Sequence, residues 1–166
     1  DIDAEAAKES VIELSKMMRY VLYDSENAET NIQNDIRFIE LYIGLMKIRY
    51  TEDIDIKFST TDIPIGAKIP PLIFIVLVEN AFKHGISATH PSFIHIALSV
   101  DAADTIIFDC RNSNFPKTAD DKSGGGIGLQ QVRRRLDLAY PEQYVWNNGV
   151  DNDVYFSHIE IKGKQA

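Results

Sequence analysis

The hydrophobic pattern of this 166-residue chain changes once, near Tyr50, from a helical period to a mixture of strand and helix patterns. Over residues 4–50, apolar residues recur at intervals of three and four, which is the spacing of one face of an α-helix. The apolar positions are Val11, Leu14, Met18 and Val21 in the first helix, and Ile32, Ile36, Ile39, Ile43 and Met46 in the second. A polar run at residues 24–27 separates the two. The pattern predicts a helical segment over residues 1–50 and a second domain over residues 51–166.

The helical segment has two interpretations. In the first, two amphipathic helices pack only on their own domain. In the second, they form an antiparallel hairpin whose apolar seam is also buried against a second copy of the chain. The apolar face of the second helix is widened by Phe38, Leu41, Tyr42 and Leu45. An unpaired apolar patch of that size favours association, so the second interpretation predicts a symmetric homodimer.

After Tyr50 the pattern predicts an α/β domain. Residues 54–58 alternate as a strand does, and a helix is expected over residues 72–84, with Pro71 in its first turn and Gly85 as its terminator. The remaining expected elements are strands at 93–100 and 105–110, a polar loop at 112–126, a helix at 127–139, and a hairpin formed by 144–146 and 154–161 around Asn147-Asn148-Gly149.

Composition limits the classes of function. The formal net charge of −8 argues against nucleic acid as a direct partner. The single cysteine, Cys110, excludes an internal disulfide framework and a cysteine cluster for metal, and it suits a reducing compartment. No apolar run approaches the ~20 residues that a membrane-spanning helix requires.

The first candidate site lies at the end of the helix predicted over residues 72–84. Glu79, Asn80 and Lys83 fall within about one turn, so their side chains share one flank. A carboxylate and a carboxamide supply the oxygen ligands that Mg²⁺ prefers, and a lysine one turn later can meet phosphate charge. The alternative is a helix end whose polar side chains face water. Residues 72–78 weigh against it, because they are almost wholly apolar and polar residues in a buried helix need partners.

The second candidate site is the run Gly124-Gly125-Gly126-Ile127-Gly128-Leu129, which opens a predicted helix. Glycines let the backbone approach a phosphate, and a helix N-terminus offers unpaired N–H groups and the positive end of its dipole. The run is not a Walker loop, because no Lys-Ser/Thr follows, and no strand directly precedes it as in a dinucleotide fingerprint. A flexible linker is the ordinary alternative. The helix that follows contains Arg133-Arg134-Arg135, which either holds charge near a nucleotide or forms a solvated basic face.

Together, the two motifs resemble the GHKL ATP-binding fold. Glu-Asn-Ala-x-Lys-His-Gly on a helix, two strands, a loop, and Gly-x-Gly-Ile-Gly-Leu followed by Arg-Leu occur in the order of that fold. The chain is most similar to the LytS-type family of bacterial sensor histidine kinases, and the similarity extends to Ile39-Glu40-Leu41-Tyr42-Ile43 and Ile69-Pro70-Pro71-Leu72. The resemblance covers nearly the whole chain. It implies an α+β fold, in which a GHKL-type α/β sandwich, a mixed sheet with helices on one face, follows a helical dimerisation hairpin.

The resemblance also implies roles for individual residues, with ATP and Mg²⁺ as cofactors. Glu79 and Asn80 are the implied catalytic residues, and Asn80 is the implied Mg²⁺ ligand. The implied nucleotide-binding residues are Lys83, His84, Asp109, Asn112, Gly124, Gly126, Gly128 and Leu129.

The chain departs from the family pattern at the phosphate acceptor. Such kinases phosphorylate a histidine in an Asn-Pro-His-Phe context on the first dimerisation helix. The four histidines of this chain are His84, His90, His95 and His158, all in the second part. The acceptor histidine is therefore expected outside this chain, together with a transmembrane sensor.

Two further departures concern the nucleotide site. The wider fold has an Asp-x-Gly-x-Gly box whose aspartate recognises adenine. Here Arg111 stands at the aligned position, and Asp109, two residues earlier on the same strand face, is the expected substitute. Val76 stands where hydrolytic relatives have a glutamate that activates water, which favours phosphoryl transfer to a protein side chain over hydrolysis.

The function implied is that of the catalytic ATP-binding part of a two-component sensor histidine kinase, on the cytoplasmic side of a bacterial inner membrane. The expected partners are a second copy of the chain and a response regulator, for which the family resemblance suggests the LytTR type. One alternative is a degenerate GHKL module that dimerises and signals without ATP. Another is a GHKL protein that phosphorylates serine on a partner, against which the helical hairpin argues.

Overall fold

The computed structural model describes residues 4–24, 27–50, 54–115 and 127–163. In chain order, the helices are α1 (Ala4–Arg19), α2 (Ile32–Arg49), α3 (Ile73–His84) and α4 (Ile127–Ala139), and the strands are β1 (Thr30–Asn31), β2 (Ile54–Thr61), β3 (Lys68–Ile69), β4 (Ser92–Val100), β5 (Ile106–Ser113), β6 (Tyr144–Asp151) and β7 (Val154–Ile161). The chain forms two compact units. The first comprises Asp1–Thr51 with Gly66–Ile75, and the second comprises Glu52–Ile65 with Val76–Ala166.

The helical unit contains both predicted helices. α1 continues into a π-helical turn at Tyr20–Asp24, and α2 begins after Asn31, whose side-chain oxygen accepts a hydrogen bond from the backbone N–H of Gln33 (2.9 Å). The apolar seams of the two helices differ. Ile32, Ile36, Ile39 and Ile43 of α2 are buried, whereas Val11, Leu14 and Met18 of α1 and Val21 of the π-helical turn are 42–63% exposed. Within the described residues, no helix has the length and apolar character needed to cross a bilayer.

The segment Gly66–Ile75, which includes β3, completes this unit. β3 pairs antiparallel with β1, and the backbone N–H of Ile32 donates to the carbonyl of Ala67 (2.8 Å). α3 begins at Ile73, one residue later than expected, and Pro71 lies in the turn before the helix rather than in its first turn. Leu72, between them, has a φ of 61°, which is uncommon for a residue with a side chain.

The second unit is built on a five-stranded sheet in the order β2-β4-β5-β7-β6, in which β2 and β4 are parallel and the other pairs are antiparallel. One face of the sheet is apolar and bears the helices. The Sγ of Cys110 on β5 lies 4.0 Å from the carbonyl oxygen of Leu77 on α3, and the guanidinium of Arg133 on α4 lies 4.7 Å from the ring centre of Trp146 on β6. The mixed sheet with helices on one face is confirmed.

The turn of the final hairpin is not at the predicted position. Asn147, Asn148 and Gly149 lie inside β6, and the turn is at Asn152-Asp153, with φ values of 46° and 62°. Two consecutive residues with positive φ are typical of a type I′ turn, which joins twisted antiparallel strands, and Asn and Asp tolerate that conformation. The Asn-Gly pair misled the prediction because both positions suit a hairpin turn by residue type alone.

Candidate functional site

Helix α3 presents its polar residues on a flank rather than in the core. Val76, Asn80 and His84 recur every four residues and are half-buried, while Glu79 and Lys83 are exposed. The side chain of Asn80 makes no hydrogen bond within the described part of the chain. The amide lies on the half-buried flank of the helix, where no described residue engages it.

The start of α4 packs on the same flank of α3. A Cβ atom built on Gly128 would lie 3.2 Å from the Cγ1 of Val76, which is one turn before Asn80. The absence of a side chain at Gly128 thus lets the first turn of α4 approach α3 closely. The structure brings together the two motifs that the sequence separates, with Leu129 half-buried directly after the glycine. Gly124 and Gly126 lie outside the described residues.

The end of β5 meets the end of α3. The backbone N–H of Gly85 donates to the carbonyl of Ala81 (2.7 Å), which ends the helix, and a Cβ atom on Gly85 would lie 2.7 Å from the Cβ of Asn112. Gly85 was expected as a helix terminator. A glycine terminator usually adopts a positive φ, and Gly85 does not. Its requirement for glycine comes instead from close packing, since an added Cβ would clash with Asn112.

Asn112 has an unsatisfied acceptor. The residue is only 1% exposed, and its Nδ2 donates to the carbonyl oxygen of Ser113 (2.8 Å). Its Oδ1 is buried and has no hydrogen-bond partner among the described residues. The carbonyl oxygen of Ser113 can only accept, so the amide is held with its nitrogen toward Ser113 and its oxygen unpaired. Such a buried acceptor requires an explanation, and a ligand donor is one.

Asp109 does not join this group. Along β5, Phe108, Cys110 and Asn112 are buried on the helix-bearing face, whereas Asp109 and Arg111 alternate with them on the opposite face. The Oδ1 of Asp109 lies 2.8 Å from the Nδ1 of His158. The family pattern aligns the adenine-binding aspartate with Arg111 and suggests Asp109 as its substitute. Asn112, also among the predicted nucleotide-binding residues, lies one residue further along the strand and therefore on the other face. The residue at the helix-bearing face is Asn112.

Two ionisable groups near the site have shifted pKa values. The pKa of Glu79 is raised because its carboxyl is partly desolvated by the surrounding protein, although the residue as a whole is exposed. The pKa of Cys110 is raised to about 12, first by burial and then by the nearby charge of Asp109. The thiol is therefore neutral at physiological pH and is not a nucleophile.

Among residues that the structure describes, no three His, Cys, Asp or Glu side chains are grouped to hold a metal ion.

His158, on the face away from the helices, predicts a pH dependence of stability. Its Nδ1 and Nε2 face carboxylate oxygens of Asp109 (2.8 Å) and Glu160 (3.0 Å), and the hydrogen bond to Glu160, followed by that to Asp109, raises its pKa. Both ring nitrogens can donate only when the ring is charged. The stabilisation is therefore fully present below the unfolded pKa of about 6.5 and is lost as pH rises through the higher folded value.

The check is chemical unfolding of the wild type and of His158→Gln between about pH 5.5 and pH 9. We expect the free energy of unfolding of the wild type to exceed that of His158→Gln by more at the acidic end of this range than at the alkaline end. His90→Gln is a matched control, because the Nδ1 of His90 lies beside the hydroxyls of Ser87 and Thr89 rather than a carboxylate. A difference between wild type and His158→Gln that does not change with pH contradicts the charged state.

Comparison with known proteins finds similar sequences among histidine kinases. A family model for histidine kinases matches residues 1–54. The sensor protein LytS of Staphylococcus saprophyticus is 28% identical over 147 residues, which cover 82% of this chain and 25% of that protein. The chain spans about a quarter of the length of the relatives that it matches.

Solved structures share the fold. The histidine kinase domain of the blue-light activated kinase EL346 from Erythrobacter litoralis has a TM-score of 0.61 at 15% identity, over 95% of this chain and 75% of that one. Full-length ShkA in complex with AMPPNP has a TM-score of 0.55 at 15% identity, over 95% of this chain and 36% of ShkA. The chain is therefore a homologue of sensor histidine kinases of the LytS type, with the fold of a histidine kinase domain.

Proposed function

We propose that this chain is the ATP-binding catalytic part of a two-component sensor histidine kinase, which transfers the γ-phosphate of ATP to a histidine for onward transfer to an aspartate of a response regulator. The main support is the convergence around α3 of Asn80, the first turn of α4 at Gly128, and the unpaired amide oxygen of Asn112. These groups supply a metal ligand, a phosphate-binding helix end and a base-binding acceptor. The complex of ShkA with AMPPNP shows that a protein of this fold binds an ATP analogue.

At the phosphate end, the backbone N–H groups of the first turn of α4 are suited to an anion. Lys83, exposed one turn after Glu79 and Asn80, adds a positive charge. Asn80 fits a Mg²⁺ ion in chemistry, because its oxygen is not engaged by another described residue and Mg²⁺ in kinases takes few protein ligands besides phosphate oxygens. When bound, Mg²⁺ would neutralise phosphate charge. The glycines at 124 and 126 and His84 remain proposed contacts of the same region.

The transfer itself demands little covalent chemistry from the protein, so positioning and charge are the main contributions. Val76, beside Gly128, has no group that activates water, which favours a protein acceptor over hydrolysis. We assign to Glu79 the role of accepting a proton from the attacking imidazole. Its raised pKa makes the carboxylate a stronger base than an ordinary glutamate.

At the base end, we assign Asn112 to the exocyclic amino group of adenine. The Oδ1 atom can only accept, and the bond from Nδ2 to the carbonyl of Ser113 keeps the amide from turning over. An aspartate at position 112 would place a carboxylate oxygen, which can only accept, where the Nδ2 of Asn112 now donates to the carbonyl oxygen of Ser113. The two acceptors would repel each other. The neighbouring carbonyl therefore favours an amide over a carboxylate at position 112.

Calorimetric titration of the chain with two non-hydrolysable ATP analogues in Mg²⁺ tests this function. One analogue has the adenine amino group, and the other has hydrogen in its place. We expect the first to bind and the second to bind about tenfold more weakly, as for one lost hydrogen bond. Asn112→Leu should abolish that difference. If neither analogue binds, the proposed function is rejected, whereas equal affinities in the wild type reject only the role of Asn112.

A degenerate, non-catalytic module is the second candidate. One observation favours it: on the helix-bearing face the end of β5 offers a neutral amide where the wider fold has a carboxylate. This candidate predicts that neither analogue binds while the chain still self-associates. The same titration therefore separates the two functions.

We further propose a homodimer formed through the exposed apolar face of α1. The α2 seam is already buried within the chain, so charged substitutions at Ile36 and Ile43 would test folding rather than association. The response regulator, of LytTR type by family resemblance, and an attachment to the cytoplasmic side of a membrane-anchored sensor belong to the same proposal.

Replacing Leu14 and Met18 together with Asp is expected to shift the chain from dimer to monomer, because a carboxylate in an apolar interface is strongly unfavourable. Light scattering across a concentration series measures the change. Leu138→Asp is the control, since Leu138 is an exposed apolar residue of α4, at 76% exposure, outside the proposed interface. A wild type that is monomeric at high micromolar concentration rules out the dimer for this chain.

A further inference from the structure

A buried carboxylate joins three segments of the helical unit. Asp35, in the first turn of α2, is only 2% exposed. Its Oδ1 accepts a hydrogen bond from the hydroxyl of Tyr20, and both of its oxygens lie 3.1 Å from the backbone nitrogen of Leu72. Tyr20 is the first residue of the π-helical turn that follows α1, and Leu72 immediately precedes α3. The proposed chemistry makes no use of this group.

Each end of this hydrogen-bond chain is an unusual piece of backbone. π-Helical turns are rare, are often found at functional sites, and place one extra residue in a turn. At the other end, Leu72 has a φ of 61°, a conformation that costs energy for a residue with a side chain. The N–H of Leu72 donates to the carboxylate in that conformation, so Asp35 helps to hold the backbone at the point where α3 begins.

The carboxylate makes the two ends depend on each other. A buried charge is tolerated only while donors surround it, and loss of one donor leaves the remaining contacts under-compensated. If the π-helical turn reverted to a regular helix, Tyr20 would rotate relative to α2 and its hydroxyl would leave Asp35. The carboxylate would then hold Leu72 in a different geometry or release it.

We propose that Tyr20, Asp35 and Leu72 form a conformational relay, through which a change at the π-helical turn after α1 alters the start of α3. α3 is one continuous helix from Ile73 to His84, so a change at its first turn bears on the helix that contains Asn80. This last step, from α3 to a nucleotide, rests on the proposed function. The relay itself does not.

Hydrogen exchange of backbone amides tests the relay. Tyr20→Phe removes the hydroxyl and keeps the ring that contacts Phe38 (centroids 5.5 Å apart). We expect exchange at Leu72 and in the first turn of α3 to become about tenfold faster, as for loss of one hydrogen bond to a charged group. Asp35→Asn should have at least the same effect. The double variant should be no faster than Asp35→Asn, because the relay passes the effect of the Tyr20 hydroxyl through the carboxylate.

Tyr144→Phe is the matched control. It also removes a hydroxyl that donates to an aspartate, Asp137 (2.6 Å), but in the second unit. Exchange at the start of α3 should be unchanged in this variant. The relay is refuted if Tyr20→Phe affects only α1 and α2, if the two substitutions add independently, or if the control gives the same acceleration.

A separate titration of Tyr20→Phe with the ATP analogue tests the step to the nucleotide. Weaker binding than in the wild type, with the control unchanged, supports coupling to the site. Unchanged binding together with faster exchange overturns the coupling and leaves the relay intact. If the wild type binds no analogue, the proposed function fails, and the exchange data still decide the relay.

Discussion

Replacing Gly85 with alanine is expected to lower the free energy of unfolding by about 1–3 kcal/mol, the usual cost of overpacking a dense interior. The new Cβ would lie 2.6 Å from the carbonyl oxygen of Ala81 and 2.7 Å from the Cβ of Asn112. Neither atom can retreat cheaply. The carbonyl belongs to the last turn of α3, and Asn112 is held by its bond to Ser113.

The same substitution should weaken binding of an ATP analogue, because any relief of the clash moves Asn112 away from its present position. Gly44→Ala is the matched control, since the Cβ at Gly44, inside α2, would meet nothing within 4 Å. Alanine is a better helix former than glycine, so this control should gain up to about 1 kcal/mol. Urea titration of the wild type, Gly85→Ala and Gly44→Ala measures the expected loss and the expected gain of stability. A Gly85→Ala protein as stable as the wild type would contradict the close packing of α3 against β5.

Local sequence signals predicted the elements that depend on local chemistry. α4 has the predicted bounds, Ile127–Ala139, because a glycine-rich start and an amphipathic pattern define both ends. α3 ends at His84 as expected, and the strand predicted at residues 54–58 forms as part of β2. A helix or strand whose pattern is determined by its own neighbours is accessible from sequence.

Two predictions rested on patterns that are consistent with more than one arrangement, and one of them, the hairpin turn, was wrong. Asn147-Asn148-Gly149 suits a hairpin turn by residue type, yet strand pairing puts the turn at Asn152-Asp153. Asp109 was expected to replace the adenine-binding aspartate because it is a carboxylate two residues from the aligned position, and Asn112 was among the predicted nucleotide-binding residues without a role of its own. Both assignments remain predictions. In a strand, a shift of one residue changes the face, and the residue at the helix-bearing face is Asn112. Residue type alone does not determine the register that decides both cases.

Contacts between distant segments were not accessible from the sequence. The seams of α1 and α2 look alike in spacing, but one is exposed and the other is buried, because burial depends on what packs against each helix. Asp35 resembles any acidic residue in the first turn of a helix, where a carboxylate favours the positive end of the dipole. Its partners, Tyr20 and Leu72, lie 15 and 37 residues away. No local pattern in the sequence indicates these two contacts of Asp35.

Asn80→Ala is expected to weaken binding of the ATP analogue about tenfold or more in Mg²⁺ and much less in EDTA, because only the metal-bridged part of the contact is lost. Asn80→Asp should instead alter the metal dependence while preserving the fold, since the side chains have nearly the same shape. Asn147→Ala is the control, because Asn147 is an exposed asparagine of β6 away from α3. Calorimetric titration of the four proteins with and without Mg²⁺ gives the comparison.

A purely structural role for Asn80 predicts a different result. If its amide satisfied a buried backbone group, Asn80→Ala would cost about 1–3 kcal/mol of stability and leave the affinity per folded molecule unchanged. The structure weighs against that role, since the side chain is half-buried and makes no hydrogen bond to any described residue. An amide without a hydrogen-bond partner among the described residues can be removed at little cost to that part of the fold, so a loss of affinity without a loss of stability identifies a ligand contact. Equal affinity of wild type and Asn80→Ala in Mg²⁺ would remove Asn80 from the proposed site.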